Sequence, residues 1–278
     1  MSVYSSVIVG TDGSVTAGRA VRRAATVAAG IGIPLIVATA YTRVRPEELG
    51  PRSVQAELPE NIGAFGYIGA QETARDGVSI ALKAFPDLDV DVATPQGDPA
   101  DALLEFTETR GNALLVIGGQ GLGATGLFLL GNVPNKITHH AVGDVMVVRT
   151  GREREDEAPR RVLIGTDGSR TATKALDRGI AVASSLGAGV TVLTVGRSSW
   201  AADVLAEASA RVEAAGVPVE TEQHDGDAAA VLVERAADYD LLVLGNRGMT
   251  GARRFLLGSV PNKVSHHVGA DLLIVKTT

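Results

Sequence analysis

The sequence contains no cysteine and few aromatic residues, and both shortages limit what the protein can be. Without cysteine the chain can form no disulfide, no cysteine-ligated zinc site and no cysteine nucleophile. Aromatic residues make up only 4% of the 278 positions, so the core must consist of Val, Leu, Ile and Ala. No apolar run approaches the ~20 residues of a membrane-spanning helix. We therefore expect a globular protein with an aliphatic core and without a membrane partner.

The sequence also lacks an excess of basic residues and the pattern of a secretory leader. The formal net charge is −6 at pH 7, which makes sequence-independent binding of nucleic acid a poor expectation. The opening residues do not show a basic stretch followed by the apolar stretch of a secretory leader. We therefore expect a cytoplasmic protein with no nucleic-acid partner.

An internal repeat is the strongest feature that is present. The segment Val7–Ser14, VIVGTDGS, recurs as Val162–Ser169, VLIGTDGS. Residues 112–150 align without a gap on residues 239–277 with 18 identities in 39 positions, which chance does not supply. The chain therefore consists of two copies of one domain. We predict domain 1 at 1–150, a charged linker at 151–159 and domain 2 at 160–278. The first copy also carries a loop insertion between Thr42 and Tyr67.

The second copy alternates apolar strands with helical segments. The pattern predicts strands at 161–165, 190–195, 217–221, 241–244 and 272–276, and helices at 171–186, 200–215, 227–237 and 260–267. Such alternation indicates a doubly wound, five-stranded parallel sheet with helices on both faces. Ligands of these sheets bind beyond the carboxyl ends of the strands.

Two loops of copy 2 at that edge have unusual content: Gly-Thr-Asp-Gly-Ser at 165–169 after the first strand, and a glycine-rich loop after the fourth strand. The second loop has the composition of an anion site. The fourth strand of copy 2 runs into Gly245 and Gly248, and Gly258-Ser259 follows nine residues later. Glycines let the backbone approach a ligand, and the free N–H groups that begin the next helix favour a phosphate. The Ser259 hydroxyl can donate to that phosphate or cap the helix. For Lys136, Lys263, Arg247, Arg253 and Arg254, a solvated surface role and phosphate screening both stay open.

This glycine pattern resembles the ATP-binding signature of universal stress proteins, and so does the Thr-Asp-Gly-Ser opening of each copy. The resemblance covers both halves of the chain. It implies strand order 3-2-1-4-5, the adenine nucleotide alpha-hydrolase-like arrangement, and ATP as the cofactor, with or without Mg²⁺. It also implies that the adenosine end is held by the Asp after the first strand and by the backbone at the end of the second.

The resemblance assigns ATP contacts in both copies. In domain 1 they are Gly10, Thr11, Asp12, Ala40, Gly118, Gly121, Gly131, Asn132 and Val133. In domain 2 they are Gly165, Thr166, Asp167, Val195, Gly245, Arg247, Gly248, Gly258, Ser259 and Val260.

Copy 1 departs from the pattern at Asn132, which replaces the serine. We therefore expect weaker phosphate binding there. A simpler interpretation of Asp12 and Asp167 is that they cap the first helix of each copy, a role compatible with ligand contact.

No catalytic constellation accompanies the loops, because no nucleophile has a matched base. The neighbouring histidines, His139-His140 and His266-His267, point about 100° apart on a helix and do not chelate a metal as a pair. We expect no catalytic residue and no metal ligand. The leading hypothesis is an ATP-binding regulatory module of the stress response. A slow ATP hydrolase or nucleotidyl-transferring enzyme is the alternative, and a nucleotide-free scaffold is a third.

Each copy ends in an apolar strand, 145–148 and 272–275, that lies at a sheet edge in this fold. A bare apolar edge promotes aggregation unless something pairs with it. We expect the two last strands to pair within one chain as a pseudo-dimer, and a further homodimer of chains is left open.

Overall fold

A computed structural model describes residues 3–43, 65–119, 130–149, 158–196, 199–247 and 257–277. Copy 1 contributes strands β1 (Ser6–Gly10), β2 (Leu35–Ala38), β3 (Val90–Ala93), β4 (Ala113–Gly118) and β5 (Val145–Val148). Copy 2 contributes β6 (Arg161–Gly165), β7 (Gly189–Val195), β8 (Val219–His224), β9 (Leu241–Gly245) and β10 (Asp271–Val275). The helices of copy 1 are α1 (Val15–Ile31), α2 (Phe65–Ala84), α3 (Pro99–Thr109) and α4 (Asn132–His140). Those of copy 2 are α5 (Arg170–Leu186), α6 (Ser199–Ala214), α7 (Ala228–Arg235) and α8 (Ser259–His267).

The strands form one sheet in the order β3-β2-β1-β4-β5-β10-β9-β6-β7-β8. Within each copy all neighbours are parallel and follow the order 3-2-1-4-5, which confirms the predicted fold class. At the centre β5 and β10 pair antiparallel, with Met146 opposite Leu273. The last strand of each copy therefore covers the edge of the other.

The helices cover the two faces of the sheet differently. On one face α1, α2, α5 and α6 bury a single apolar cluster that runs through both copies. On the other face α3 and α4 cover copy 1, while α7 and α8 cover copy 2 with a separate cluster. Because α1 and α5 share one core, burial of apolar surface stabilises the association of the copies as well as each copy.

Asp271 ties copy 2 to copy 1 at the central strands. One carboxylate oxygen accepts from the Arg149 backbone N–H at 2.9 Å, and the other lies 2.7 Å from Arg23 Nε. The side chains of Arg23 and Asp271 are only 7% and 5% exposed. The Arg149 guanidinium also donates to the Ser265 carbonyl of α8. Breaking a buried, hydrogen-bonded ion pair of this kind leaves buried charges without their partner, so separation of the copies at this point is costly.

Asp144 makes the reciprocal contacts from copy 1 to copy 2. It accepts from the Lys276 backbone N–H at 2.8 Å and lies 3.4 Å from Arg178 Nε. The Tyr4 hydroxyl donates to the same carboxylate at 2.8 Å, and burial raises the pKa of Asp144. Asp144 and Asp271 occupy equivalent positions of the repeat, so the junction has an approximate two-fold symmetry.

Helix α1 begins and ends as its sequence requires, and α5 repeats the pattern. Ser14 and Ser169 are the N-caps, and each hydroxyl accepts from the amide three residues later. Gly32 and Gly187 end the two helices at φ 75° and 65°, the left-handed conformation that glycine adopts without strain.

One strand lies two residues further along than predicted. The sequence predicts 217–221, whereas β8 covers Val219–His224. Pro218 has no N–H to donate, and its carbonyl accepts from Val190, so the ladder with β7 begins at the next residue. The helix predicted at 227–237 also ends early, in a 3₁₀ turn at Ala236–Asp238.

Several predictions lie outside the described residues. The insertion falls mainly on 44–64 and the linker mainly on 151–157, so the domain boundaries stay predictions. Among the helices that the structure describes, none combines the length and the apolar character needed to cross a bilayer.

Candidate functional site

A cavity of about 390 Å³ opens beyond the carboxyl ends of β6, β7 and β9 in copy 2. It lies between the two loops that the sequence singles out. Of the ten residues predicted to contact ATP in this copy, nine line it: Gly165, Thr166, Asp167, Val195, Gly245, Arg247, Gly258, Ser259 and Val260. The tenth, Gly248, lies outside the described residues. The fold therefore brings the predicted set to one place, while its role stays a prediction.

The floor of the cavity is kept open by Gly165. A Cβ atom there would lie 2.6 Å from Leu244 Cδ2 and 3.0 Å from Leu232 Cδ2. Any larger residue would have to displace these side chains, which form part of the cavity wall. The chain then turns at Thr166, whose N–H donates to the Leu193 carbonyl at 3.0 Å. These contacts fix the side of the cavity next to β7.

Asp167 shapes the turn that leads into α5. Its Oδ1 atom accepts from the Ser169 N–H at 3.1 Å and from the Ser169 hydroxyl at 2.6 Å. Asp12 accepts in the same way from the Ser14 N–H at 3.0 Å. The alternative interpretation that these aspartates cap the helices is therefore wrong, because the serines cap the helices and the aspartates hold the serines. Asp167 nevertheless lines the cavity.

The opposite wall of the cavity is formed by the first residues of α8 and its N-cap. Gly258 is its N-cap, with extended backbone angles and no side-chain cap, and Ser259 is the first helical residue. Ser259 is therefore not the cap, which leaves its exposed hydroxyl at the cavity. The first amides of a helix lack internal acceptors, so they and the helix dipole favour an anion at this point.

Arg247 brings a positive charge to the cavity. Its Nη2 atom is buried and has no hydrogen-bond partner within the described part of the chain. A buried guanidinium donor without an acceptor is costly, so the position favours an anionic ligand. Burial lowers the pKa of the nearby Lys276 to about 8. The carboxylate of Asp144 raises this pKa in part, whereas the positive charge of Arg247 lowers it further.

The remaining wall is apolar. It contains side chains from β7, β9 and the start of α7, namely Leu193, Val195, Leu244, Ala228 and Leu232. One cavity thus combines an apolar part with a part that carries a cation and a helix N-terminus. A ligand that fits both has a flat apolar end and an anionic end.

Copy 1 repeats the backbone of this arrangement. The Thr11 N–H donates to the Ala38 carbonyl at 2.9 Å, as Thr166 does to Leu193. A Cβ at Gly10 would lie 2.8 Å from Leu103 Cδ1, and one at Gly118 would lie 3.3 Å from the Thr16 carbonyl oxygen. A larger residue at either position would therefore have to displace these neighbours.

The N-terminus of α4 in copy 1, where a phosphate is predicted, also follows that of α8 in copy 2. Gly131 is the N-cap of α4, Asn132 is its exposed first residue and Val133 is half-buried. Gly121 lies outside the described residues.

The end of the second strand, which is predicted to hold the adenosine, differs between the two copies. Ala40 lies two residues beyond β2, whereas its counterpart Val195 is still in β7. The reason is the partner strand: β7 pairs with β8 as far as His224, while β2 pairs with β3 only as far as Ala93. Pro95 follows β3 and supplies a carbonyl but no N–H.

The two repeated lysines are paired with acids and do not line the cavity of copy 2. Lys136 Nζ lies 2.7 Å from Asp101 and 3.2 Å from Asp98, which raises its pKa, and Lys263 Nζ lies 3.7 Å from Asp227. These pairs are solvent-exposed and favour the surface interpretation of the lysines. Arg253 and Arg254 lie outside the described residues.

The histidines lie at the junction of the copies. His139 Nε2 is 3.1 Å from Asn262 Oδ1 across the junction. Burial lowers the pKa of His266, and the neighbouring His267, His139 and Arg149 act in the same direction. No group of three potential metal ligands occurs within the described ranges.

Two kinds of residue in this region escape sequence reasoning. The apolar wall residues Leu232 and Leu244 look like ordinary core positions, because only the folded sheet shows that they border a cavity. Asn246 occupies a variable position inside the glycine pattern, and yet it is only 2% exposed and its side chain accepts two hydrogen bonds from Thr277. The sequence signal that could have pointed to Asn246 is the difference between the copies at this position, where copy 1 has Gly119.

Comparison with known proteins gives one consistent result. The sequence model of the universal stress protein family matches residues 4–149, 159–213 and 197–276. A universal stress protein of Mycobacterium tuberculosis is 35% identical over 150 residues, which cover 54% of this chain and 99% of that protein. A universal stress protein of Mycobacterium bovis is 26% identical over 294 residues, covering 97% of this chain and 96% of the other.

Solved structures agree on the fold. The crystal structure of a universal stress protein from Archaeoglobus fulgidus aligns with a TM-score of 0.74 and 17% identity. The alignment covers 98% of this chain and 96% of that one, so the similarity extends over both copies.

Proposed function

The chain belongs to the universal stress protein family, and from this premise we propose that it binds ATP in the cavity of copy 2 and acts as a nucleotide-dependent regulatory module of the stress response. The adenine lies against Leu193, Leu232 and Leu244. The phosphates lie at Arg247 and at the N-terminus of α8. Mg²⁺, where present, is carried by the phosphates.

The observation that supports this proposal is the division of the cavity into two chemical parts. An apolar wall favours a flat heterocycle, and a buried guanidinium atom without a partner among the described residues favours an anion. Asp167 lies in the loop after β6 and lines the cavity, where its carboxylate would accept from a ribose hydroxyl. Adenosine phosphates combine these three features in one molecule.

We infer that the two copies bind with unequal affinity. Copy 2 offers the Ser259 hydroxyl at the start of α8, whereas copy 1 offers the larger Asn132. Arg247 also has no counterpart in copy 1, where the sequence has Gln120. A charge-assisted hydrogen bond contributes about 1.5–3 kcal/mol, so the loss of one or two weakens binding by at least tenfold.

We propose that the protein is a binding module and not an enzyme. Among the described residues that line the cavity, the titratable groups are Asp167 and Arg247, and Asp167 already accepts two hydrogen bonds from Ser169. Arginine stays protonated and does not act as a base. A slow ATP hydrolase or a nucleotidyl-transferring enzyme would need a base from elsewhere.

We also propose that the active unit is a single chain in the cytoplasm that behaves as an intramolecular pseudo-dimer. The antiparallel pairing of β5 with β10 and the reciprocal contacts of Asp144 and Asp271 support it. A bound nucleotide then stabilises the whole two-copy sheet through linkage.

Calorimetry with paired glycine variants tests the proposal. A Cβ at Gly258 would lie 3.2 Å from the Asn246 carbonyl oxygen and 3.5 Å from the Pro261 ring, so Gly258→Val fills the space above α8. We expect Gly258→Val to abolish the tighter ATP site. Gly131→Val in copy 1 is the matched control and should leave the tighter site intact. Wild-type affinity in Gly258→Val would refute the assignment.

A further inference from the structure

Asn246 is a buried polar residue that contacts the N-terminus of α8. It follows β9, and its backbone N–H donates to the Val275 carbonyl at 2.8 Å. Its Oδ1 atom accepts from the Thr277 N–H at 3.0 Å and from the Thr277 hydroxyl at 2.8 Å. Asn246 and Thr277 are 2% and 3% exposed. The side chain therefore joins the end of β9 to the segment after β10, away from solvent.

The backbone of the same residue is bonded to the N-cap of α8. The Gly258 N–H donates to the Asn246 carbonyl oxygen at 2.8 Å. Gly258 is the N-cap of α8, so this bond sets where the free amides of α8 begin. Because the Asn246 side chain holds its own backbone against Thr277, the carbonyl that receives Gly258 has a fixed position.

Copy 1 lacks the side-chain contacts that Asn246 makes in copy 2. The equivalent residue is Gly119, whose N–H donates to the Val148 carbonyl at 2.8 Å but which has no side chain to reach the segment after β5. A Cβ at Gly119 would lie 3.0 Å from Arg149 Nη1, so the arginine occupies the space that the asparagine fills in copy 2. Among the described backbone hydrogen bonds of copy 1, none joins Gly131 to Gly119.

We infer that Asn246 is a positioning residue that preorganises the phosphate end of the copy 2 site, and that its absence from copy 1 is a second cause of unequal binding. This inference rests on the proposed nucleotide function. Asn246 does not line the cavity. It acts through Gly258, by fixing where the free amides of α8 begin.

The test separates the phosphate end from the adenosine end. In Asn246→Ala we expect the Kd for ATP to rise about tenfold or more and the Kd for adenosine to change by less than about twofold, because adenosine has no phosphate to lose. A merely structural role would weaken both ligands together. Thr277→Val, which removes only one of the donors, should give a smaller effect in the same direction and guards against misfolding of the first variant.

Amide hydrogen exchange gives a readout without ligand. In Asn246→Ala the Gly258 and Thr277 amides should exchange faster, while the Leu242 amide in the middle of β9 should not change. Asn262→Ala is the matched control, because Asn262 lies in α8 but contacts His139 at the junction.

Each outcome decides the matter. Selective loss of ATP affinity with faster exchange at Gly258 supports the inference. Equal ATP binding by wild type and Asn246→Ala, or equal weakening of ATP and adenosine, overturns it and leaves the proposed function standing. A wild-type chain that binds neither ligand overturns the proposed function and this inference together.

Discussion

Removal of the Asp271 carboxylate should loosen the two copies more than removal of its counterpart in the repeat, the Asp144 carboxylate. In Asp271→Ala, Arg23 loses a carboxylate at 2.7 Å while its own side chain is only 7% exposed. The Arg149 N–H loses its acceptor as well. Removal of one partner from a buried ion pair costs about 3–5 kcal/mol, which is a large part of the stability of a typical domain.

The repeat supplies an internal comparison for this variant. In Asp144→Ala the arginine that loses its partner is Arg178, which is 31% exposed and 3.4 Å away, so water replaces part of the lost contact. We expect a cost of about 1–3 kcal/mol, because the Tyr4 hydroxyl and the Lys276 N–H still lose a buried acceptor. Asp271→Ala should therefore be the more destabilising of the two.

Equilibrium unfolding in urea, followed by circular dichroism, measures both free energies. Asp91→Ala is the control, because Asp91 is exposed on β3 and should change stability by no more than about 0.5 kcal/mol. If Asp271→Ala costs less than Asp144→Ala, or no more than Asp91→Ala, the buried pair does not hold the copies together and the reasoning is refuted.

Three further predictions concern titration and turnover. Burial lowers the pKa of Lys276 to about 8 from 10.5, so the unfolded chain binds more protons between these values and stability should rise with pH there; Lys276→Met should flatten that rise in pH-dependent unfolding. Hydrogen bonds from Arg235 lower the pKa of Glu222 to about 2 from 4.5, so the stability that Glu222 contributes should be lost as pH falls through that range. Glu222→Gln should therefore lose less free energy of unfolding between neutral and acid pH than the wild type. ATP hydrolysis should not exceed about one turnover per minute, against ~1–1,000 per second for ordinary enzymes; a magnesium-dependent rate near one per second that Asp167→Ala removes would show the opposite.

The fold was accessible from the sequence because each element carries a local signal. Strand β6 is an apolar run that ends at a glycine, and α5 lies between a serine cap and Gly187. Repetition of these signals in the two copies predicted the doubly wound sheets. The ends of β8 were less accessible, because a pairing partner and Pro218 decide them and no local periodicity does.

The candidate site was accessible only in part. The glycines and Asp167 are visible as a spaced pattern, since backbone approach and helix N-termini require particular residues at particular places. Leu232 and Leu244 were not predicted, because an apolar side chain that lines a cavity has the same sequence pattern as one that fills a core. The reciprocal roles of Asp144 and Asp271 were also missed, although both positions repeat, since a carboxylate shows its partner only after the copies pack.

A crystal structure of the protein grown with ATP tests the central claim most directly. The account predicts one well-ordered nucleotide in copy 2, with its adenine between Leu193, Leu232 and Leu244 and a phosphate oxygen within hydrogen-bond distance of Arg247 or of the first amides of α8. An empty copy 2 cavity, or a nucleotide bound there with its phosphates turned away from Arg247 and Gly258, would contradict it.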